Sequence, residues 1–139
     1  MFKNTGNDCI DLSGSNVEIN HCEIENSGDK GVSGGESSIV KIENTKINKA
    51  KTAIASKDLS VVNVNFVTIQ NVDYGFVAFQ KKPEFGPAKI IVTNATGTVM
   101  KNKNLVDLGS LLINKGESKT DTIVGLKTIN VDALYLRFN

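Results

Sequence analysis

The chain has 139 residues, 40% of them hydrophobic and 22% charged, which places it among ordinary globular chains and within the size of one domain. Lys and Arg number 16 against 15 Asp and Glu, a formal net charge of +1, so no bulk field draws it to nucleic acid or to an anionic membrane. The opening MFKNTGNDCIDL has no basic stretch leading into an apolar run, and nothing later approaches the roughly 18 continuous apolar residues of a membrane span; neither an export signal nor membrane insertion is expected of this chain.

Taken in chain order, the first apolar position is Phe2, and its counterparts are Ile24, Ile47 and Ile69, each followed within two residues by Asn (Asn4, Asn26, Asn48, Asn71). Asn tolerates the left-handed backbone of tight turns. Next comes DCIDLSGS at Asp8, matched by KGVSGGES at Lys30, TAIASKDL at Thr52 and YGFVAFQK at Tyr74, each start 22 residues after the last. In all four a small residue stands second (Cys9, Gly31, Ala53, Gly75) and an apolar one third (Ile10, Val32, Ile54, Phe76). Between them Val17 and Ile19, Val40 and Ile42, and Val62 and Val64 alternate with other residues, the pattern of a strand with one buried face.

Three short strands per repeat cannot bury their apolar sides alone, but repeats stacked at ~4.8 Å can. The predicted fold is therefore all-β: a right-handed parallel β-helix, a solenoid of about five coils. Residues 1–98 are read as coils, and 99–139 as the last coil and an irregular C-terminal cap of the same domain. Amphipathic helices are a poor rival, because β-branched residues dominate the apolar positions and Asn or Gly interrupts most windows. An up-and-down barrel does not predict a fixed repeat of this length.

After Phe79 the stretch QKKPEFGPA holds both prolines and reads as a protruding loop. Beyond Val99 the apolar runs Leu105-Val106, Leu111-Leu112-Ile113, Ile123-Val124 and Ala133-Leu134-Tyr135-Leu136 suit a final coil and a cover for the stack. At the other end Phe2 is already inward and no cap precedes it, so the chain is expected to start in mid-coil. Either coils of a longer parent lie before it or the open first coil makes an end-to-end contact.

Chemistry-bearing residues are sparse. Cys9 and Cys22 are too few for a metal knuckle or a disulfide framework; they read as free, semi-buried small residues, with a bridge between them as the alternative. His21, the single histidine, falls at a turn that later coils occupy with Asn44 and Phe66, which suits a structural residue. Gly31, Gly34 and Gly35 suit tight bends and lack the Lys and Ser spacing of a phosphate loop. No metal or cofactor is expected, since neither calcium-loop spacing nor a nonapeptide repeat is present.

Over residues 2 to 98 the coil pattern resembles the pectate-lyase-like superfamily of right-handed β-helices. GNDCIDLSGS, GDKGVSGGES, IASKDLS and QKKPEFG are similar, more narrowly, to β-helix modules of large bacterial surface proteins. The resemblance implies an exported or cell-surface parent and leaves the chemistry open, because the superfamily holds lyases, hydrolases, epimerases, adhesins and inert scaffolds. NDCIDLSG also resembles an acidic strand of the polygalacturonases, and GDKGVSGG their histidine-bearing strand. Here Asn7 replaces the first acid, Asp8 remains, and Lys30 stands where the histidine is expected. The upstream acidic strand and the downstream Arg-Ile-Lys element are not found. An inverting hydrolase needs two well-spaced carboxyls, so a catalytic reading must enlist Asp8, Asp11 and Lys30. The simpler reading makes Asp8 and Lys30 an ion-pair rung between coils, with Asp11 and Asp29 enlarging the acidic cluster. A lyase base is available in Lys30, Lys57, Lys81 or Lys82, but without a calcium-binding cluster or a nearby arginine, Arg137 lying in the tail.

The favoured function is accordingly a noncatalytic module of a surface protein, structural or adhesive, or binding an extended polysaccharide. The ligand-binding candidates are Asp11, Ser33, Glu36, Lys57, Asp58 and Tyr74, beside a line of small groups (Cys9, Gly31, Ala53, Gly75) expected to face outward. The alternative is a polysaccharide hydrolase or lyase fragment with an incomplete site. Scattered threonines exclude the ranked flat face of an ice-binding protein.

Overall fold

A computed structural model describes residues 1–116, 120–131 and 134. Ten strands follow one another: β1 (Phe2–Thr5), β2 (Ile10–Ser13), β3 (Asn16–Asn20), β4 (Glu23–Ser27), β5 (Lys30–Gly35), β6 (Ile39–Lys57), β7 (Val61–Phe79), β8 (Lys89–Val106), β9 (Leu111–Lys115) and β10 (Thr120–Val124). All pair in parallel except β9 with β10, which is antiparallel. The result is a parallel β-solenoid of about five turns with a spacing near 22 residues.

The three apolar sets of the sequence become three stacked columns. Phe2 pairs with Ile24, Ile24 with Ile47, and Ile47 with Ile69. Val17 pairs with Val40 and Val40 with Val62, while Ile10, Val32, Ile54 and Phe76 form the third. Side chains from all three meet in one core that includes Ile24, Ile42, Ile47, Ile54, Val62, Phe76 and Ile90. Stacking like on like buries each apolar residue between two neighbours of the same column, which is how a chain of modest apolar content gives a dry interior.

Polar residues hold the corners. Asn4, Asn26, Lys49 and Asn71 take left-handed φ angles between 54° and 63°, so Lys49, two residues past Ile47, fills the turn expected of Asn48. Asn48 is instead a rung of a side-chain ladder: it donates to Glu25 at 3.1 Å and accepts from Asn71 at 2.8 Å. A second corner stacks serines. The Ser15 N–H donates to Ser38 Oγ, the Ser38 N–H to Ser60 Oγ, and the Ala88 N–H to Ser110 Oγ, all at 3.0–3.1 Å. His21, Asn44 and Phe66 share a third left-handed corner.

The expectation that Cys9, Gly31, Ala53 and Gly75 face outward is corrected. Ala53 belongs to the core and Cys9 packs against it, and a Cβ on Gly31 would lie 2.7 Å from the Ala53 carbonyl and 3.0 Å from Ile47. At this bend two successive residues, such as Ala53 and Ile54, turn inward, so the first must be small.

The loop after Phe79 displaces the next coil: Val61 pairs with Lys89, and the ladder between β7 and β8 shifts register at four places. Asp58 organises this loop, its Oδ1 accepting the N–H groups of Lys81 and Lys82 at 2.7 Å each. Past β10, Ile129, Val131 and Leu134 pack on the outside of the third column, against Ala55, Val77 and Phe79. The remainder of the last apolar run (Ala133, Tyr135, Leu136) and Arg137 lie outside the described residues. The first coil presents Phe2, 44% exposed, with Cys9, Ile10, Leu12, Val17 and Cys22 only partly covered; both cysteines are free.

Candidate functional site

The 22-residue register decides which side chains meet on the outside of the third strand set. One column runs Lys30, Thr52, Tyr74; the next runs Asp11, Ser33, Ala55, Val77, Leu105; Lys57 pairs with Phe79 beside them. The face is polar at its lower end, in the first two coils, and apolar higher up.

At the polar end Lys30 is fully buried. Its Nζ lies 3.2 Å from Asp29 Oδ2 and 3.8 Å from Asp8 Oδ1, and its backbone N–H donates to the same Asp8 oxygen at 3.1 Å. The adjacency of Asp8 and Lys30 expected from the register is therefore present, but as a buried group with Asp29 as the nearer partner. Burial pushes the Lys30 ammonium below its ordinary pKa, against the pull of Asp8 and Asp29. Burial likewise raises the Asp8 carboxyl, and Asp29 and Asp11 add to that, while Lys30 opposes it. Both shifts have one cause: a charge taken from water prefers to be neutral, and pairing recovers only part of the loss.

Asn7, Asp8, Asp11, Asp29, Lys57 and Lys81 line a pocket of about 330 Å³ at this end. Asp29 Oδ1 is buried there without a hydrogen-bond partner among the described residues. The pocket thus offers carboxylate acceptors and ammonium donors within one recess. No group of three His, Cys, Asp or Glu suited to a metal ion occurs among the described residues.

The candidate binding residues separate. Asp11 and Lys57 reach the pocket. Ser33 and Asp58 do not meet solvent, which corrects their reading as accessible contacts: Ser33 lies within the covered face, and Asp58 Oδ1 is occupied by the loop amides. Glu36 is paired with Lys82 at 3.1 Å, and hydrogen bonds from Lys82 and Ser13 hold its carboxyl below the usual range. Tyr74 is half-buried and packs against the cluster of Ala55, Val77, Phe79 and Leu134. One residue was missed by sequence reasoning, and another was named there for a different role. Lys81, a candidate lyase base, is brought by its loop to the pocket that Asp11 and Lys57 also line, a placement that no spacing in the sequence announces. Asp107 ties residue 129 to the 80–88 loop, accepting the Ile129 N–H at 3.0 Å and the Gln80 N–H at 3.2 Å; the rank of turn acids Asp58 and Asp107 was the available sign.

Compared with family models, curated proteins and solved structures, the chain gives no match.

Proposed function

We propose that this chain is a noncatalytic β-solenoid module of an exported or cell-surface protein, binding an extended polysaccharide along its third face. The observation that carries the reading is the pocket beside Lys30. A sugar hydroxyl both donates and accepts, so a recess offering Asp8, Asp11 and Asp29 as acceptors and Lys57 and Lys81 as donors suits a polyhydroxylated ring better than an ion of one sign. Membership of the pectate-lyase-like superfamily and a surface location belong to the same proposal and rest on the coil motifs. So does end-to-end assembly through the partly covered first coil.

Catalysis is disfavoured by the same geometry. Asp8 and Asp29 are turned toward one ammonium group, whereas glycoside hydrolysis needs two carboxyls placed on either side of a scissile bond. A second reading, hydrolase or lyase, keeps one observation in its favour: an acid with a raised pKa beside a lysine with a lowered one, a pairing that recurs in active sites.

One experiment separates them. The purified chain is incubated with a panel of neutral and acidic polysaccharides, and retention and new chain ends are scored in the same tubes. Retention without new ends is expected. New ends that disappear in Asp8→Asn establish an enzyme; neither retention nor cleavage removes the polysaccharide reading and leaves a structural solenoid.

A further inference from the structure

We infer that the recess beside Lys30 selects uncharged polysaccharide and that Asp11 sets this preference; the inference rests on the binding reading above and narrows its ligand class. Charge is the first observation. Asp8, Asp11 and Asp29 line the recess with Lys57 and Lys81, and Lys30 adjoins it through Asp29 at 3.2 Å and Asp8 at 3.8 Å. Among the described residues three carboxylates thus balance three ammonium groups, and a proton passed from Lys30 to Asp8 leaves the balance unchanged. A polymer with a charge on each ring gains no net attraction here, yet loses the hydration of every charge it brings in. A hydroxyl loses far less.

The second observation is an unmet acceptor. Asp29 is only 7% exposed; its Oδ2 takes Lys30, while its Oδ1 has no hydrogen-bond partner among the described residues. The backbone holds it in place, because the Asp29 N–H donates to the Asn7 carbonyl at 3.3 Å and the Asp29 carbonyl accepts the Lys51 N–H at 2.8 Å, fixing the residue to the coils on either side. Such an oxygen favours an occupant that brings a donor. A sugar hydroxyl donates, whereas an ionised uronate carboxyl only accepts. An amino sugar donates as well, but its ammonium enters among Lys30, Lys57 and Lys81.

The third is the place of Asp11. Of the three carboxylates lining the recess it alone is exposed, carried on β2 opposite Ser33 of β5, whereas Asp8 and Asp29 both face Lys30. Its charge can therefore be altered without stranding a buried ion, and altering it tips the whole recess to one sign.

The test measures retention of the full chain, Asp11→Asn and Asp11→Lys on dextran and on cellulose, each also as its carboxymethyl and diethylaminoethyl derivative, so that charge varies while the sugar backbone does not. At neutral pH the unmodified chain is expected to be retained on an uncharged matrix about tenfold more strongly than on either charged derivative, and equally between about 20 and about 500 mM salt. Asp11→Lys moves retention to the carboxymethyl form and makes it fall with salt; Asp11→Asn, which keeps an acceptor oxygen, holds the uncharged matrix and narrows the gap. A charged derivative retained as well as its uncharged parent overturns the selectivity and leaves the binding reading standing. An unchanged preference in Asp11→Lys overturns the role of Asp11. The comparison of matrices needs no variant, so it decides the selectivity even if Asp11→Lys does not fold, and retention on none of them overturns both the selectivity and the binding reading.

Discussion

Two lysines on this solenoid meet carboxylates in opposite settings. Lys30 is enclosed with Asp29 and Asp8 in the side of the second coil, while Lys82 reaches Glu36 across open surface at the 80–88 loop. The closest contacts are nearly equal, 3.2 and 3.1 Å, so distance does not distinguish them. Solvent does. An enclosed charge has surrendered its hydration and depends on its partners; an exposed one has kept it and gains little from pairing.

The contrast is broken most directly at Asp29. Asp29→Ala leaves Lys30 without its nearer carboxylate and is expected to cost about 3–5 kcal/mol in urea unfolding. The combined Lys30→Met, Asp8→Asn, Asp29→Asn variant should recover most of that loss, since it removes the charges together. An Asp29→Ala midpoint close to the parent's would erase the distinction between the two lysines.

A smaller effect is expected where the enclosed group is neutral. Ser60→Ala strands the buried N–H of Ser38, a loss of about 1–3 kcal/mol by the same measurement. If the cost exceeds that of Asp29→Ala, the corner hydrogen bonds and not the charge cluster dominate.

Acidity sharpens the comparison by sign. The folded-state pKa of Asp8 is raised above 3.8, so between 3.8 and that higher value the folded chain binds more protons than the unfolded one. Its contribution to stability therefore falls as pH rises through the window and is restored on acidification. Glu36, with its pKa lowered below 4.5, behaves oppositely and loses its small contribution as pH falls below that value. Stability titrated from pH 3 to 7 should flatten in the upper window for Asp8→Asn, and an unchanged profile would remove Asp8 as its source. Smallest of all is Lys82→Ala, for which no measurable shift in thermal midpoint is expected.

Much of the architecture was legible because a stacked coil repeats its own instructions. Ile24, Ile47 and Ile69 were readable as one column, and the two prolines marked the loop that displaces the last coil. The site was less legible. Alternation between faces holds along a strand but fails at a bend, so the inward turn of Gly31, Ala53 and Gly75 contradicts a reading made from strand geometry alone. Lys30 looked like a surface rung because lysine seldom lies fully buried without a partner, and the partner that encloses it, Asp29, precedes it in sequence with nothing to show its direction. The serines at 15, 38 and 60 were visible at near-coil spacing, with Ser110 following only after Ala88 takes the intervening corner, yet serine is common in turns and the hydroxyl's acceptance of the neighbouring coil's N–H needs three dimensions to be seen. Leu134's resting place on the third face has no periodic partner and no local signal.

The serine corner has a genealogical consequence. Because Ser38 and Ser60 occupy equivalent sites and each receives its neighbour's amide in the same way, the stretch between them is a self-compatible module whose two ends fit copies of themselves. Duplicating it would lengthen the rod by one rung without inventing a new junction. Such a chain can grow or shrink by whole coils through unequal recombination, while the pocket beside Lys30 stays where it is.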